Sequence, residues 1–160
     1  MYKRILVPID GSSTSIRGLD EAIALAKLCG ASLRLVHVLD RVPMPAGETY
    51  TVDVFGLLRE AGERIVQQAK ARAAAAGLDV STFLSEVLPG RVCDVVVEQA
   101  KESGAELIVL GTHGRRGVSR LLVGSDAEQI VRVAPVPVLL VRSASGSTAA
   151  GSGSAPAGGP

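Results

Sequence analysis

Residues 106–125, "ELIVLGTHGRRGVSRLLVGS", join an apolar run to a segment rich in glycine and arginine. The run at 106–111 is apolar almost throughout, which is typical of a strand covered on both faces of a parallel sheet. The segment at 111–125 holds four glycines, three arginines and no acidic residue. Helical spacing resumes at 127–134 and stops before Pro135. This stretch therefore predicts a strand, a specialised loop and a helix in succession.

The same alternation runs through most of the chain. Strand-like runs occur at 2–8, 32–38, 81–88, 106–111 and 136–142, and helical spacing occurs at 16–26, 54–69, 92–100 and 127–134, with Gly77 stopping the second helix. Strands that alternate with helices pair in parallel through right-handed crossovers. We therefore predict an α/β fold, a three-layer α/β/α domain with a five-stranded parallel sheet. The run at 81–88 alternates with polar residues, which favours an edge strand.

Composition excludes several classes of protein. The 160 residues suit one domain, and a formal net charge of +1 with only two Tyr, two Phe and no Trp argues against a nucleic-acid-binding protein. The apolar run near the N-terminus is too short for a signal peptide or a membrane span, so we expect a cytoplasmic protein. Residues 143–160 contain only Ser, Ala, Gly, Thr and Pro. We expect a flexible tail there and a folded domain over 1–142.

The two cysteines, Cys29 and Cys93, lack a CxxC or metal-type spacing. We interpret them as reduced, buried thiols, with metal or redox chemistry as the alternative. The acidic pair Asp20 and Glu21 is interpreted as solvated on a helix surface.

Two turns mark the predicted ligand site. If the first three strands build outward one way and the last two the other, the first and fourth strands are neighbours at a switch point. The turns after them, "PIDGSSTS" (8–15) and 111–125, are the connections richest in Gly and Ser within the folded part. We therefore predict a crevice between these two turns.

The loop at 111–125 has the chemistry to bind phosphate. Glycines let backbone N–H groups approach an anion, and Ser125 is expected to cap a helix whose positive end faces it. The alternative is a glycine-rich turn with solvated arginines. Asp126 follows Ser125, so GxxxxGK[ST] is absent, as is GxGxxG after the first strand. The residues in question are Gly111, Gly114, Gly117 and Gly124, with Arg115, Arg116 and Arg120 adding positive charge.

The pattern Gly111-x2-Gly114-x9-Gly124-Ser125 resembles the G-x2-G-x9-G-[ST] nucleotide motif of the universal stress protein (UspA-like) family. The segments "ILVPIDGS" (5–12), "GAELIVLGTHGRRG" (104–117) and "APVPVLLVR" (134–142) are also similar to strands and turns of that family. The resemblance covers about residues 2–142.

The resemblance implies a parallel sheet in the order 3-2-1-4-5, four flanking helices, ATP binding, often with Mg²⁺, and commonly a homodimer paired through the last strands. The apolar last strand, Val136 to Val141, would otherwise be an exposed edge, which also favours such a dimer. By position, the resemblance places Pro8, Ile9 and Asp10 at adenine and ribose, the Val38 backbone at adenine, Gly111 and Thr112 near ribose and phosphates, and Gly114, Arg115, Gly124, Ser125 and Asp126 at the phosphates.

Several residues have alternative interpretations. Asp10 is either a ligand residue or a helix N-cap, whereas Ser12 and Ser13 are interpreted as caps. His37 and His113 have no nucleophile beside them in the pattern, so we interpret them as structural or solvated. The loop at 39–53 is long for a connection between a strand and a helix, and it is either a lid over the site or disordered.

The leading function is an ATP-binding regulatory or stress-response protein. No catalytic constellation accompanies the phosphate loop, so we expect no enzyme and at most slow ATP hydrolysis. One alternative is an ATP-hydrolysing or adenylate-transferring enzyme, which would need SGGxDS or HxGH where "PIDGSSTS" stands. Another alternative is a dimerisation module that binds no nucleotide. The intact glycine motif argues against this alternative.

Overall fold

A computed structural model describes residues 1–39, 54–86, 91–112 and 124–142. Strands and helices alternate along the chain, as the sequence predicts. They are β1 (Arg4–Pro8), α1 (Ser13–Cys29), β2 (Ser32–Leu39), α2 (Val54–Ala75), β3 (Val80–Glu86), α3 (Val92–Glu102), β4 (Leu107–Gly111), α4 (Ser125–Val133) and β5 (Val138–Val141).

The five strands form one parallel sheet in the order β3-β2-β1-β4-β5. This order confirms the predicted fold, and it places β1 beside β4 at the switch point. β3 lies at one edge, as its alternating sequence predicts, and β5 lies at the other. The carboxyl ends of β1, β2 and β4 therefore meet at one edge of the sheet.

Helices cover both faces of the sheet. On one face, Ile5 and Val7 of β1 pack in a cluster with α1 and α2, which includes Leu19 and Ala69. On the other face, Leu6 joins a cluster with α3 and α4. Successive strand residues point to opposite faces of the sheet. Because helices cover both faces, all three of these β1 side chains are fully buried. This two-sided burial explains why the strand sequences are nearly continuous apolar runs.

Two sequence predictions need correction at the ends of elements and on the surface. The last strand begins at Val138 rather than at 136, because Pro137 has no N–H for a strand ladder, although its carbonyl accepts from the Ile108 N–H at 3.0 Å. Asp20 is not simply solvated, since Arg72 of α2 donates to its two carboxylate oxygens at 2.5 and 2.8 Å. Glu21 is exposed, as predicted.

Both cysteines are free thiols, but only Cys93 is fully buried, whereas Cys29 is half-buried. Burial, followed by the charge of Asp94, raises the pKa of the Cys93 thiol. The thiol therefore stays protonated near neutral pH, which makes it a poor nucleophile. None of the helices within the described ranges is both long and apolar enough to cross a bilayer.

Candidate functional site

The turn after β1 forms one wall of the switch-point edge. Asp10 accepts a hydrogen bond from the Ser12 N–H through Oδ1 at 2.9 Å, and Gly11 between them has a φ of 78°. The Asp10 side chain thus stabilises the turn and does not cap α1, so that alternative is wrong. Only a residue such as glycine adopts this left-handed conformation without strain.

The N-terminus of α1 is capped by serine. The Ser12 Oγ accepts from the Ser15 N–H at 3.2 Å, and the Ser15 Oγ donates to the Ser12 carbonyl at 3.0 Å. Ser12 is therefore the cap, as predicted, whereas Ser13 is the first helical residue and not a cap. Ser15 and the neighbouring Thr14 are buried. One first-turn amide of α1, that of Ser15, is therefore capped by a side chain of the chain itself.

Gly111, at the end of β4, contacts the first turn of α1. A Cβ atom at this position would lie 2.5 Å from the Thr14 carbonyl oxygen and 3.0 Å from the Ser15 nitrogen. A Cβ on Gly18, one turn further along α1, would lie 3.1 Å from the Gly111 nitrogen. The two backbones therefore meet directly, and glycine at position 111 serves helix–strand packing. From its sequence context, this glycine was expected only to let a ligand approach the backbone.

Thr112 brings together the two ends of the glycine-rich loop. Its N–H donates to the Val141 carbonyl at 2.9 Å, and its carbonyl accepts from the Gly124 N–H at 2.6 Å. Thr112 is buried, with 4% of its surface exposed. The start of α4 is thereby fixed beside the end of β4. Residues 113–123, which include His113, Gly114 and Arg115, lie outside the described residues, as does the predicted lid or disordered loop beyond Leu39.

The N-terminus of α4 begins at glycine rather than at serine. Gly124 is the N-cap, with φ −60° and ψ 150°, and its carbonyl accepts from the Glu128 N–H at 2.9 Å. Ser125 is the first residue of the helix, so the prediction that it caps α4 is wrong. The reason is the bond to Thr112, which fixes Gly124 in an extended conformation just before the helix. Because Gly124 has no side chain, the first turn receives no side-chain cap.

The end of β2 forms the third part of this edge. His37 is buried, and its Nδ1 lies 2.7 Å from the Ile9 carbonyl oxygen. A carbonyl only accepts hydrogen bonds, so Nδ1 carries the proton. This contact confirms the prediction of a structural histidine at position 37. Val38 follows it, half-buried against the α3–α4 side of the core.

Gly62 of α2 is a site residue that the sequence analysis missed. A Cβ atom there would lie 3.0 Å from Cδ2 of His37 and 2.5 Å from Cδ2 of Leu39. The α2 backbone thus packs directly on the histidine ring. Glycine inside a helix costs about 1 kcal/mol relative to alanine, so its presence in a strong helical pattern was the available signal.

The structure brings most of the predicted residues to one edge of the sheet. They are Pro8 at the end of β1 with Ile9 and Asp10 after it, Val38 near the end of β2, Gly111 at the end of β4 with Thr112 after it, and Gly124, Ser125 and Asp126 at the start of α4. The uncapped amides of α4 and the positive end of its dipole can bind an anion. Across the four described ranges, no group of three or more His, Cys, Asp or Glu side chains could hold a metal ion.

Comparisons with known proteins agree with this architecture. The model of the universal stress protein family matches residues 1–142. A universal stress protein of Methanocaldococcus jannaschii is 35% identical over 145 residues, which cover 89% of this chain and 83% of that protein. A solved structure of a universal stress family protein from Burkholderia pseudomallei is 36% identical, with a TM-score of 0.71 over 88% of this chain and 96% of its own.

Two similar solved structures contain a nucleotide. One is a universal stress protein in complex with cAMP, 27% identical with a TM-score of 0.64, covering 88% of this chain and 97% of its own. The other is the universal stress protein of Archaeoglobus fulgidus in complex with dAMP. It is 25% identical with a TM-score of 0.62, and the match covers 88% of this chain and 98% of its own. With the family match extending over residues 1–142, the chain belongs to the universal stress protein family.

Proposed function

We propose that this protein binds ATP at the carboxyl ends of β1 and β4 and acts as a nucleotide-dependent regulatory protein in stress responses. The observation that carries this proposal is the start of α4. Gly124 leaves the first turn without a side-chain cap, and its bond to Thr112 holds that turn beside β4, the neighbour of β1. An anion bound there gains both the amide groups and the helix dipole.

The nucleoside is expected on the β1 and β2 side of the same edge. We expect Pro8, which is half-buried, and the backbone of the buried Ile9 to border the nucleoside. The Asp10 carboxylate can accept from a ribose hydroxyl or a base amine. The Val38 backbone lies on the next strand. The relatives bound to cAMP and dAMP favour an adenine nucleotide, because both ligands combine adenine with a phosphate.

Phosphates are expected at Gly111, Thr112, Gly114, Arg115, Gly124, Ser125 and Asp126. The Mg²⁺ in this proposal accompanies the triphosphate. Asp126 lies exposed in the first turn of α4, where its carboxylate provides the oxygen ligand that Mg²⁺ prefers beside phosphate oxygens. When bound, the ion would neutralise phosphate charge.

We propose binding with at most slow hydrolysis. Of the nucleophiles and bases that the structure describes, His37 uses Nδ1 on the Ile9 carbonyl, and Cys93 is a buried thiol whose pKa is raised. With Nδ1 of His37 engaged and the Cys93 thiol protonated, these two groups give no support for rapid hydrolysis. An ATP-hydrolysing enzyme therefore becomes an outcome of the test below.

The proposal includes a cytoplasmic homodimer paired through β5. This strand is an edge of the sheet, and Leu139 within it is 37% exposed. Val131 and Val133 of α4 are also exposed. An apolar open edge is a ready surface for strand pairing with a second copy.

Mass spectrometry of nucleotide that co-purifies with the protein, followed by calorimetric titration with Mg-ATP, tests the proposal. We expect bound adenine nucleotide or saturable heat, with phosphate release far slower than one turnover per second. Absence of both retained nucleotide and heat at millimolar ATP would remove ATP binding. Rapid multiple turnover would instead favour the enzyme.

A further inference from the structure

We propose that His37 is a positioning residue for the nucleobase. Its ring engages the Ile9 carbonyl and so keeps the backbone N–H and C=O of Val38 directed at the ligand instead of at β1. This inference rests on the proposed nucleotide site, and it identifies which buried side chain gives that site its base-binding edge.

The hydrogen-bond ladder between β1 and β2 is the first observation. The two strands pair as far as Pro8 and Val36, and the Ile9 N–H then donates to the Val36 carbonyl at 2.9 Å. In a continuing parallel ladder, the Val38 N–H would donate next to the Ile9 carbonyl. That bond is absent from the turn and loop contacts of the described chain, and His37 Nδ1 lies 2.7 Å from the same oxygen. The ring therefore takes the place of the next ladder bond.

The direction of the Val38 peptide groups is the second observation. The Val36 carbonyl faces β1, because it accepts from Ile9. Peptide groups in a strand alternate sides with a period of two, so those of Val38 face the same side. There β1 has already ended at Pro8. Val38 thus presents a donor and an acceptor side by side, which matches the acceptor N1 and the amine N6 of adenine.

The third observation is that the ring is held in place. His37 is 5% exposed, and the backbone of α2 at Gly62 leaves no room for a Cβ beside the ring. The same glycine gives space to the side chain of Leu39. A side chain fixed on both sides can hold the Ile9 carbonyl at a constant position, which is what a positioning residue must do.

Calorimetry on the full chain with two ligands, Mg-ATP and Mg-tripolyphosphate, separates positioning of the base from general damage. In His37→Leu, we expect ATP affinity to fall about ten- to a hundredfold, the loss of one or two hydrogen bonds to the base. Tripolyphosphate affinity should change less than about twofold, because the phosphate subsite does not involve His37. In His37→Asn, the amide nitrogen replaces Nδ1, and ATP affinity should return to within about threefold of the original protein. Equal losses for both ligands would overturn the proposal.

Amide hydrogen exchange of Val38, followed by NMR, tests the same geometry without requiring a variant to fold. In the original protein, this amide should exchange rapidly without nucleotide and slowly with ATP. In His37→Leu, it should already be slow without nucleotide, because the ladder can extend by one bond. Slow exchange in the nucleotide-free original protein would contradict the proposed role of His37. Failure of the original protein to bind ATP would instead remove the proposed function, whatever the exchange shows.

Discussion

Two helix N-termini meet at the carboxyl edge of this sheet, and they are built differently. At α1, Ser12 caps the first turn, and the residues behind the cap, Thr14 and Ser15, are buried. At α4, the cap is Gly124, which offers no side chain to the first turn. Both ends carry the same unsatisfied amides and the same dipole in principle. Of the two, only α1 has a side-chain cap, which binds the Ser15 amide.

This difference in capping suggests different roles for the two helix ends. The α1 end serves packing, and the α4 end is the proposed binding site. The capped end of α1 packs against the β4 backbone at Gly111, so it acts as a fixed wall. The end of α4 is held by the Gly124 bond to Thr112, and its first turn has no side-chain cap, so this is the end at which we propose that an anion binds. The two helix ends therefore differ in the composition of the cap, and the end without a side-chain cap is the better candidate for binding an anion.

A side-chain cap on α4, like the cap on α1, should cause the largest loss of ATP affinity among the substitutions considered. In Gly124→Asp, the new carboxylate would accept from the first-turn amides and repel phosphate. We expect ATP affinity to fall more than about a hundredfold, while the helix gains a few tenths of a kcal/mol from the cap and up to about 1 kcal/mol in total once the negative charge at the helix N-terminus is included. Calorimetric titration with Mg-ATP and thermal unfolding measure the two effects.

Gly124→Ser is the matched neutral control for this change. It adds a cap without a charge, so it should weaken ATP binding by a smaller factor than the aspartate does. Gly124→Val adds bulk without a cap, and we expect it to abolish binding while circular dichroism shows the fold intact. Unchanged ATP affinity in all three variants would refute the placement of the phosphates at α4.

Crowding the contact between α1 and β4 tests the packing half of the comparison. In Gly111→Ala, the methyl carbon would lie 2.5 Å from the Thr14 carbonyl oxygen. Because that oxygen belongs to the backbone of α1, it cannot move aside as the end of a flexible side chain can. We expect a loss of about 1–3 kcal/mol in the free energy of unfolding, measured by urea denaturation.

Gly18→Ala is a milder substitution at the same contact between α1 and β4. Its methyl group would lie 3.1 Å from the Gly111 nitrogen, a milder conflict, and alanine favours the helix by about 1 kcal/mol. Its net effect should be clearly smaller than that of Gly111→Ala. If both substitutions were equally tolerated, α1 would not be the fixed wall described above.

Local signals in the sequence account for most of the fold. Alternating apolar runs and helical spacing predict each strand and helix found in the described ranges, and Gly77 marks the end of α2. The sequence pattern left the sheet order as a supposition, in which the two Gly- and Ser-rich turns would lie side by side at a switch point. The resemblance to universal stress proteins implied the same order. The last strand was predicted too long because proline fits a β-like sequence pattern but lacks the N–H that a ladder uses.

The site was harder to predict, because its deciding contacts join residues far apart in the chain. Ser125 looked like a cap, since nothing in the local sequence reveals that Thr112 fixes Gly124 in an extended conformation. The contact of Gly111 with Thr14 and that of Gly62 with His37 depend on how helices pack on the sheet. The partner of Asp20 lies on a different helix for the same reason. Gly114 and Arg115 remain predictions from the composition of the loop and from the resemblance.

Removing the cap of α1 should have the smallest effect and should leave the binding half of the comparison unchanged. Ser12→Ala deletes the acceptor for the Ser15 N–H, and N-cap losses of this kind cost about 1 kcal/mol. Because this end serves packing, ATP affinity should stay within about twofold of the original protein.

Ser12→Gly is the matched control, with an expected cost of only a few tenths of a kcal/mol. Urea denaturation and titration with Mg-ATP check both variants. A large loss of ATP affinity in Ser12→Ala with little change in stability would show that the α1 end binds the nucleotide directly, and the division between the two helix ends would then be wrong.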